Sequence, residues 1–422
     1  MRRSQIDMDS SVAFLNCNVI DVVTGNVASS TDLVVQNSII VAVGPGAGCA
    51  APFKIDASGL WAIPGLIDTH VHVCDEPYQS NVQGSIQEPE AVTLLRAFRN
   101  LFESLNCGVT TVRDAGSAHA RSLIVKRAIE NGMAVGSTVY CCGHIITYPC
   151  GHMADYGIEV KGKEEIRQAI RRNVALGVDY IKVASDPEDT EAMGRHPDPT
   201  FTVEELVNIV SGARENKMNV ACHTYPSVRG VQRAIDAGVD TIEHAVPLAG
   251  VVVPKARQSL ITFVPTFVSA YDVMPLEVIM SKMSLDLCRA KLFDATNTKA
   301  LFVTIPDSIA EWFDRLTANL PKAITDRSRL TIGSDAGCLG TNFRSAIREM
   351  FLLTQMGASN HQVLQFATLN AAEALGVRTI GRLEVNFTAD IVFCGANPIE
   401  ELEALLDIKI VVSRGTIVKL EQ

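Results

Sequence analysis

The chain has 422 residues, 47% of them hydrophobic and 20% charged, which suffices for a sizeable core and argues against wholesale disorder. A formal net charge of −10 argues against a nucleic-acid partner, which would need a basic face. The 11 cysteines are odd in number and scattered through apolar runs such as YCCGH and VFCGA, the pattern of a reducing compartment rather than of a disulfide framework.

The first residues, MRRSQIDMDSS, carry two arginines but no apolar stretch of the secretory kind. No uncharged apolar run reaches the roughly 20 residues that span a bilayer. The expectation is a cytoplasmic protein without a membrane partner. SVAFLNCNVIDVV, DLVVQNSIIVAVG and FKIDASGL then read as short strands separated by Gly, Asn and Asp. From Pro64 onward short apolar strands alternate with longer amphipathic stretches, which argues for βα units and a parallel sheet. The strands are predicted at 66–72, 109–114, 134–141, 179–185, 218–223, 240–245, 261–266 and 329–335. Eight such units predict an α/β fold, a (β/α)8 TIM barrel over residues 63–377. SLIVKRAIENG and VRGVQRAIDAG each end in a glycine, as helices often do. Between strands seven and eight, LEVIMSKMSLDLCRAKLF and IAEWFDRLTANL are both helical by period, fit to cover a pocket or to make a subunit contact. The last barrel helix is SNHQVLQFATLNAAEALG, with Ser359 as its N-cap. After Gly376 the pattern returns to strands in GRLEV, ADIVFCG, IKIVVSRG and IVKLEQ. Residues 1–62 and 378–422 together predict one small β-sandwich domain built from both termini.

GLIDTHVHV places His70 and His72 one residue apart in an extended run, so their side chains share one strand face with Asp68. Such a pair can grip a metal ion or sit as hydrogen-bonded core histidines, and the motif alone favours neither. The other ionisable residues at or near carboxyl ends of barrel strands, where active sites of this fold lie, are Lys182, His223, His244 and Asp335. Taken singly, each has an ordinary structural explanation: a satisfied core histidine, a snorkelling lysine, a turn aspartate. Six at one end of one barrel would be costly to desolvate without a shared cation. Imidazole and carboxylate suit zinc and similar metals. An ammonium cannot ligate a cation, but a lysine carbamate formed with CO2 is anionic and has two oxygens with which to bridge two ions. Such a pair of ions would hold a hydroxide at near-neutral pH.

GLIDTHVH, Lys182, HTY at 223–225, EHA at 243–245 and GSDAG at 333–337 resemble the amidohydrolase superfamily over almost the whole chain. Within it the resemblance is to the branch of prolidase-like Xaa-amino-acid carboxypeptidases and ochratoxin-degrading amidohydrolases. It implies two divalent ions, zinc above all. His70, His72 and Asp335 would hold the more buried ion, His223 and His244 the more exposed one, and N6-carboxylysine at Lys182 would bridge them with the hydroxide. Asp335 would be the general base and then the general acid. The loop CCGHIITYPCGHMADYG has Cys150-Gly151-His152 where the branch has Gly-Gly-His, which makes His152 a candidate oxyanion or carboxylate donor. His144 in the same loop, Tyr225 two residues after His223, and Arg229 are further substrate-binding candidates, each with an ordinary packed or solvated alternative. The implied reaction is hydrolysis of a small molecule's amide bond, in a dipeptide, an N-acyl amino acid or an ochratoxin-like amide. A lactone, carbamate or cyclic amide at the same centre is the alternative. A non-catalytic scaffold would be expected to have lost ligands, and all six are present. Relatives are often homo-oligomers, commonly octamers, and that too is only implied.

Overall fold

The structure is a computed structural model, and the description covers residues 11–77, 87–185, 200–224, 228–246, 260–274 and 307–421. The chain divides into two compact units. Met1–Ile67, Phe102–Thr111 and Ser359–Gln422 form one, and Asp68–Leu101 with Val112–Ala358 form the other.

The first unit is organised by a mainly antiparallel sheet. Strands β1 (Val12–Ile20), β2 (Val27–Gln36), β3 (Ile39–Gly44), β4 (Phe53–Asp56) and β5 (Trp61–Pro64) come from the N-terminal part. The alternation that predicts them also builds the core: Val12, Phe14, Leu33 and Val35 all point into it. Between Phe14 and Cys17 the pairing register with β2 shifts, and Asn16, at φ 59°, donates its N–H to Asp32 Oδ1 at 3.0 Å. That extra residue is a bulge, and it returns Cys17 and Val19 to the core face.

The barrel strands follow as β6 (Leu66–Val71), β7 (Val109–Asp114), β8 (Thr138–Cys141), β9 (Ile145–Thr147), β10 (Gly157–Glu159), β11 (Ile181–Ala184), β12 (Val220–His223), β13 (Thr241–Glu243) and β14 (Thr262–Val264). They form a three-stranded sheet in the order β6-β7-β8 and a six-stranded parallel sheet in the order β10-β9-β11-β12-β13-β14. The third predicted strand starts at Thr138 rather than at 134. It breaks at 142–144, and its continuation β9 pairs with β11. The eighth predicted strand, 329–335, forms isolated bridges instead of a regular ladder, pairing Leu330 with Phe263 and Ala336 with Val71. Its backbone is nevertheless tied to β6: Thr69 N–H donates to Ile332 O at 2.9 Å and Asp335 N–H to His70 O at 2.8 Å.

The helices are α1 (Glu90–Asn106), α2 (Ser122–Glu130), α3 (Lys163–Leu176), α4 (Val203–Glu215), α5 (Val228–Ala237), α6 (Phe267–Val273), α7 (Asp307–Thr325), α8 (Ser345–Gln355), α9 (Asn360–Phe366) and α10 (Leu369–Leu375). Strands alternating with helices over these two sheets make the α/β TIM-barrel fold that the sequence predicts. IAEWFDRLTANL lies in α7, whereas LEVIMSKMSLDLCRAKLF lies outside the described residues. Ser359 caps α9 with a capping box to Gln362, as expected. The single helix predicted from there to Gly376 is two, interrupted at Thr368, whose φ of −132° and ψ of −86° are not helical.

Two C-terminal strands complete the first unit's core. β15 (Ile391–Cys394) pairs antiparallel with β5, and β16 (Ile408–Ser413) pairs with β15. Ile391, Phe393, Ile410 and Val412 join Phe14 and Leu33 in one cluster, and the Phe14 and Phe393 ring centroids are 4.9 Å apart. β17 (Thr416–Leu420) forms the edge. GRLEV, predicted as a strand, is not one: Gly381 takes φ +81° and Phe387 N–H turns back to Glu384 O.

Candidate metal centre

The barrel strands deliver their ionisable side chains within the second unit. His70 and His72 come from the end of β6, His223 ends β12, His244 follows β13, and Asp335 ends the eighth strand. His244 at φ 59°, Thr266 at 48° and Asp335 at 62° are all left-handed. Three strand ends in a row thus hold a conformation that L-residues avoid, a strain typical of functional sites.

Asp335 Oδ1 lies 3.4 Å from His70 Nε2 and 3.5 Å from His72 Nε2. One ligand atom from each of His70, His244 and Asp335 lies within 4.8 Å of the others, and the same holds for His72, Asp335 and Cys338. The rings continue from there in a chain: His70 to His244 at 4.6 Å between centroids, His244 to His223 at 4.5 Å, and His223 to His152 stacked at 4.3 Å.

Each of three imidazoles is held by its Nδ1. His70 Nδ1 meets Glu243 Oε2 at 2.6 Å, His72 Nδ1 meets Gly116 O at 3.0 Å, and His244 Nδ1 meets Thr266 Oγ1 at 2.8 Å. A carboxylate and a carbonyl can only accept, and the Thr266 hydroxyl gives its hydrogen to Pro265 O. All three rings therefore carry their proton on Nδ1 and present Nε2 as a lone pair. Burial, the largest cause, holds His70, His223 and His244 well below the ordinary imidazole range, which favours the neutral form that metal ligation would require.

Lys182 is buried on β11, and its Nζ has no hydrogen-bond partner among the described residues. Burial lowers its pKa, against the pull of Glu243. An orphaned buried amine beside neutral imidazoles and an aspartate is costly as it stands. The donor set fits divalent cations held by the imidazoles and the carboxylate.

Beneath this layer lies a buried ion pair. Arg113 donates to Glu243 Oε1 at 2.8 Å, to Thr241 Oγ1 at 3.1 Å and to Thr69 O at 2.6 Å. Asp68 Oδ1 accepts Ser334 N–H at 3.0 Å, Oδ2 accepts the Ser334 hydroxyl at 2.5 Å, and burial pushes its carboxyl up to about 6. Ser269 donates to the other oxygen of Asp335, Oδ2, at 3.2 Å, while Cys338 Sγ lies 3.3 Å from Oδ1, the oxygen that also faces His70 and His72. Trp312 on α7 donates its indole N–H to His244 O at 3.0 Å.

Thus the structure gathers His70, His72, His223, His244, Asp335 and His152, with Lys182 close enough to act electrostatically on His70, His223 and His244. It ties His144 elsewhere: its backbone N–H and carbonyl are bonded to the Asn173 side chain on α3, and its charge neighbours are Arg172 and His119. Arg229 is exposed on α5, and Tyr225 lies outside the described residues. Arg113, Glu243, Thr266, Ser269, Cys338 and Trp312 are not among the site residues the sequence predicts. Only the first two left a signal, opposite charges inside otherwise apolar strands.

Such a barrel, with its imidazoles and carboxylate converging at one end, is the build of a hydrolytic enzyme. Residues 61–418 match the amidohydrolase family, and the chain belongs to that family. It is 24% identical over 414 residues to an ochratoxinase from Aspergillus niger, covering 90% of this chain and 80% of that one. Its fold matches the crystal structure of a Xaa-Pro dipeptidase with bound methionine in the active site, at a TM-score of 0.82 and 25% identity, over 97% of this chain and 100% of that one. The A. niger ochratoxinase structure matches at a TM-score of 0.79 and 21% identity, over 97% of this chain and 96% of that one. No described helix is long and apolar enough to cross a membrane, and the ten described cysteines are free.

Proposed function

We propose that the protein is a binuclear metal-dependent hydrolase of amide bonds, acting on the C-terminal peptide bond of a dipeptide or on an N-acyl amino acid, ochratoxin-like amides included. The observation that carries the reading is the buried Lys182 amine, without a hydrogen-bond partner among the described residues, in the electrostatic neighbourhood of His70, His223, His244 and Asp335. The names of the dipeptidase and ochratoxinase relatives support an amide of an amino acid as the substrate class.

Two divalent ions, zinc by the donor set, would be held by His70, His72, His223, His244, Asp335 and N6-carboxylysine at Lys182, and when bound would supply Lewis-acid polarisation of the scissile carbonyl and a hydroxide near neutral pH. The chain supplies the rest. Burial lowers the Lys182 pKa and so favours the neutral amine, whose lone pair would add to CO2, giving the carbamate and releasing one proton. Asp335, held by Ser269 on one oxygen, takes the proton of the attacking water and delivers it to the leaving nitrogen. His152, stacked on His223, faces the substrate as a hydrogen-bond donor to its carbonyl or carboxylate oxygen. A substrate carboxylate is the group that Tyr225 or Arg229 would meet, and His144, tied to Asn173, is left out of that role.

The test is elemental analysis of metal per chain on protein prepared with zinc and bicarbonate, beside Lys182→Ala. The expected result is about two zinc ions in the native protein. The number should fall in the variant together with activity on N-acyl amino acids and Xaa-dipeptides. One ion, unchanged by the substitution, would overturn the bridged centre.

A further inference from the structure

Two hydroxyls reach the candidate centre from one short segment. Thr266 places Oγ1 2.8 Å from His244 Nδ1, and Ser269, in the first turn of α6, donates to Asp335 Oδ2 at 3.2 Å. The segment cannot hold itself in place. Thr266 is β-branched and left-handed at φ 48°, and a helix of seven residues is marginal alone.

Helix α8 fixes it. Glu349, 0% exposed, accepts the backbone N–H of Phe267 at 3.0 Å on Oε1 and that of Val268 at 2.6 Å on Oε2. Its neighbour Arg348 pairs with Asp272 near the other end of α6, at 2.9 Å from Nη1 to Oδ2. Burial pushes the Glu349 carboxyl up to about 8, so placing a carboxylate here is costly, and the two amides are the groups it engages. In its described hydrogen bonds Glu349 meets none of the candidate ligands.

We infer that Glu349 is a positioning residue for the centre: by bonding the Phe267 and Val268 amides it fixes residues 266–269, so that Thr266 and Ser269 orient His244 and Asp335. The inference rests on the reading of those two residues as metal ligands.

The experiment compares Glu349→Ala with the milder Glu349→Gln, whose amide oxygen can still accept one of the two N–H groups. Zinc affinity is measured by chelator competition on the native chain and on each variant. The expected weakening is about 10- to 100-fold in Glu349→Ala and smaller in Glu349→Gln. In a Thr266→Val, Ser269→Ala background the same Glu349→Ala change should then add almost nothing, because the hydroxyls through which it acts are gone. A loss of full size in that background would mean general loosening and overturn the inference.

A second readout needs no metal. In 15N-histidine spectra of the metal-free protein, His244 should show the single Nδ1–H tautomer, and Glu349→Ala should mix the two forms. Unchanged affinity and an unchanged tautomer in a folded variant would overturn the inference. If the native chain binds no zinc, the metal reading fails and the tautomer alone decides the role of Glu349. If Glu349→Ala does not fold, Glu349→Gln carries both readouts.

Discussion

Three imidazoles share one tautomer because each Nδ1 faces an atom that accepts. For His70 that atom belongs to Glu243, whose other oxygen is held by Arg113 and by the Thr241 hydroxyl. Glu243→Gln keeps the shape but cannot serve both neighbours. If the amide oxygen turns to His70, its NH2 meets the Arg113 guanidinium; if it turns to Arg113, its NH2 meets the Nδ1 proton. Zinc affinity should fall about 10- to 100-fold, as when outer-layer partners of ligating histidines are removed. Breaking half of a buried pair should also cost about 3–5 kcal/mol of stability. Chelator competition and thermal melts read the two effects separately, and a folded variant with native zinc affinity would remove Glu243 from this role. The residue could have been suspected from TIEHA alone, since a charge inside a buried strand needs a partner. The partner itself, on β7, follows only from the barrel's closeness in space.

At the scale of an element, the GSDAG segment shows what the sequence discloses and what it does not. The motif marks Asp335 as a strand-end carboxylate, and the structure explains its two glycines. A Cβ on Gly333 would lie 2.3 Å from Val264 Cγ1, and one on Gly337, at φ +104°, would lie 2.4 Å from His72 O. Gly357, at φ +102°, has nothing within 4 Å of its Cβ position and isolates the backbone cost from the collision. Gly357→Ala should lose about 1 kcal/mol of stability and keep its activity. Gly337→Ala should lose about 2–3 kcal/mol or more and its activity as well, because the backbone must move between His72 and Asp335. Equal effects of the two substitutions on activity, measured beside melting temperatures, would refute the argument. Strand periodicity located the residues of the centre, because alternation fixes which side chains share a face. It did not reveal that strand three breaks at 142–144 or that the eighth strand pairs only through bridges. Those breaks depend on which neighbours each backbone finds. Nor does periodicity distinguish a loop histidine stacked on His223 from one bonded to α3, which is how His152 and His144 part company.

The core of the first unit draws on both ends of the chain. Its central strands β1 and β5 come from the N-terminal part, yet β5 finds its antiparallel partner in β15, more than three hundred residues later. Asp390 sits at that junction. Its carbonyl accepts the Gly65 N–H at 2.8 Å, and its carboxyl accepts the Arg414 N–H at 2.8 Å. Burial, opposed by those contacts with Arg414, raises the carboxyl from 3.8 to about 6. Between pH 3.8 and about 6 the folded chain keeps a proton that the unfolded chain has lost, so this group's contribution to stability falls as pH rises through that window and is constant above it. The full difference is on the order of 2–3 kcal/mol. Asn at this position is never charged and keeps an oxygen for the Arg414 amide. Asp390→Asn should therefore gain on the native protein as pH rises, with most of the gain reached by about pH 7. Denaturant unfolding of both proteins at pH 4.5 and at pH 7.5 measures it as the change in their difference, with the native slope against denaturant as the control. A difference that stays the same at both pH values would mean that the Asp390 carboxyl is ionised in the folded chain throughout, and that the junction between the two ends of the chain tolerates a buried charge.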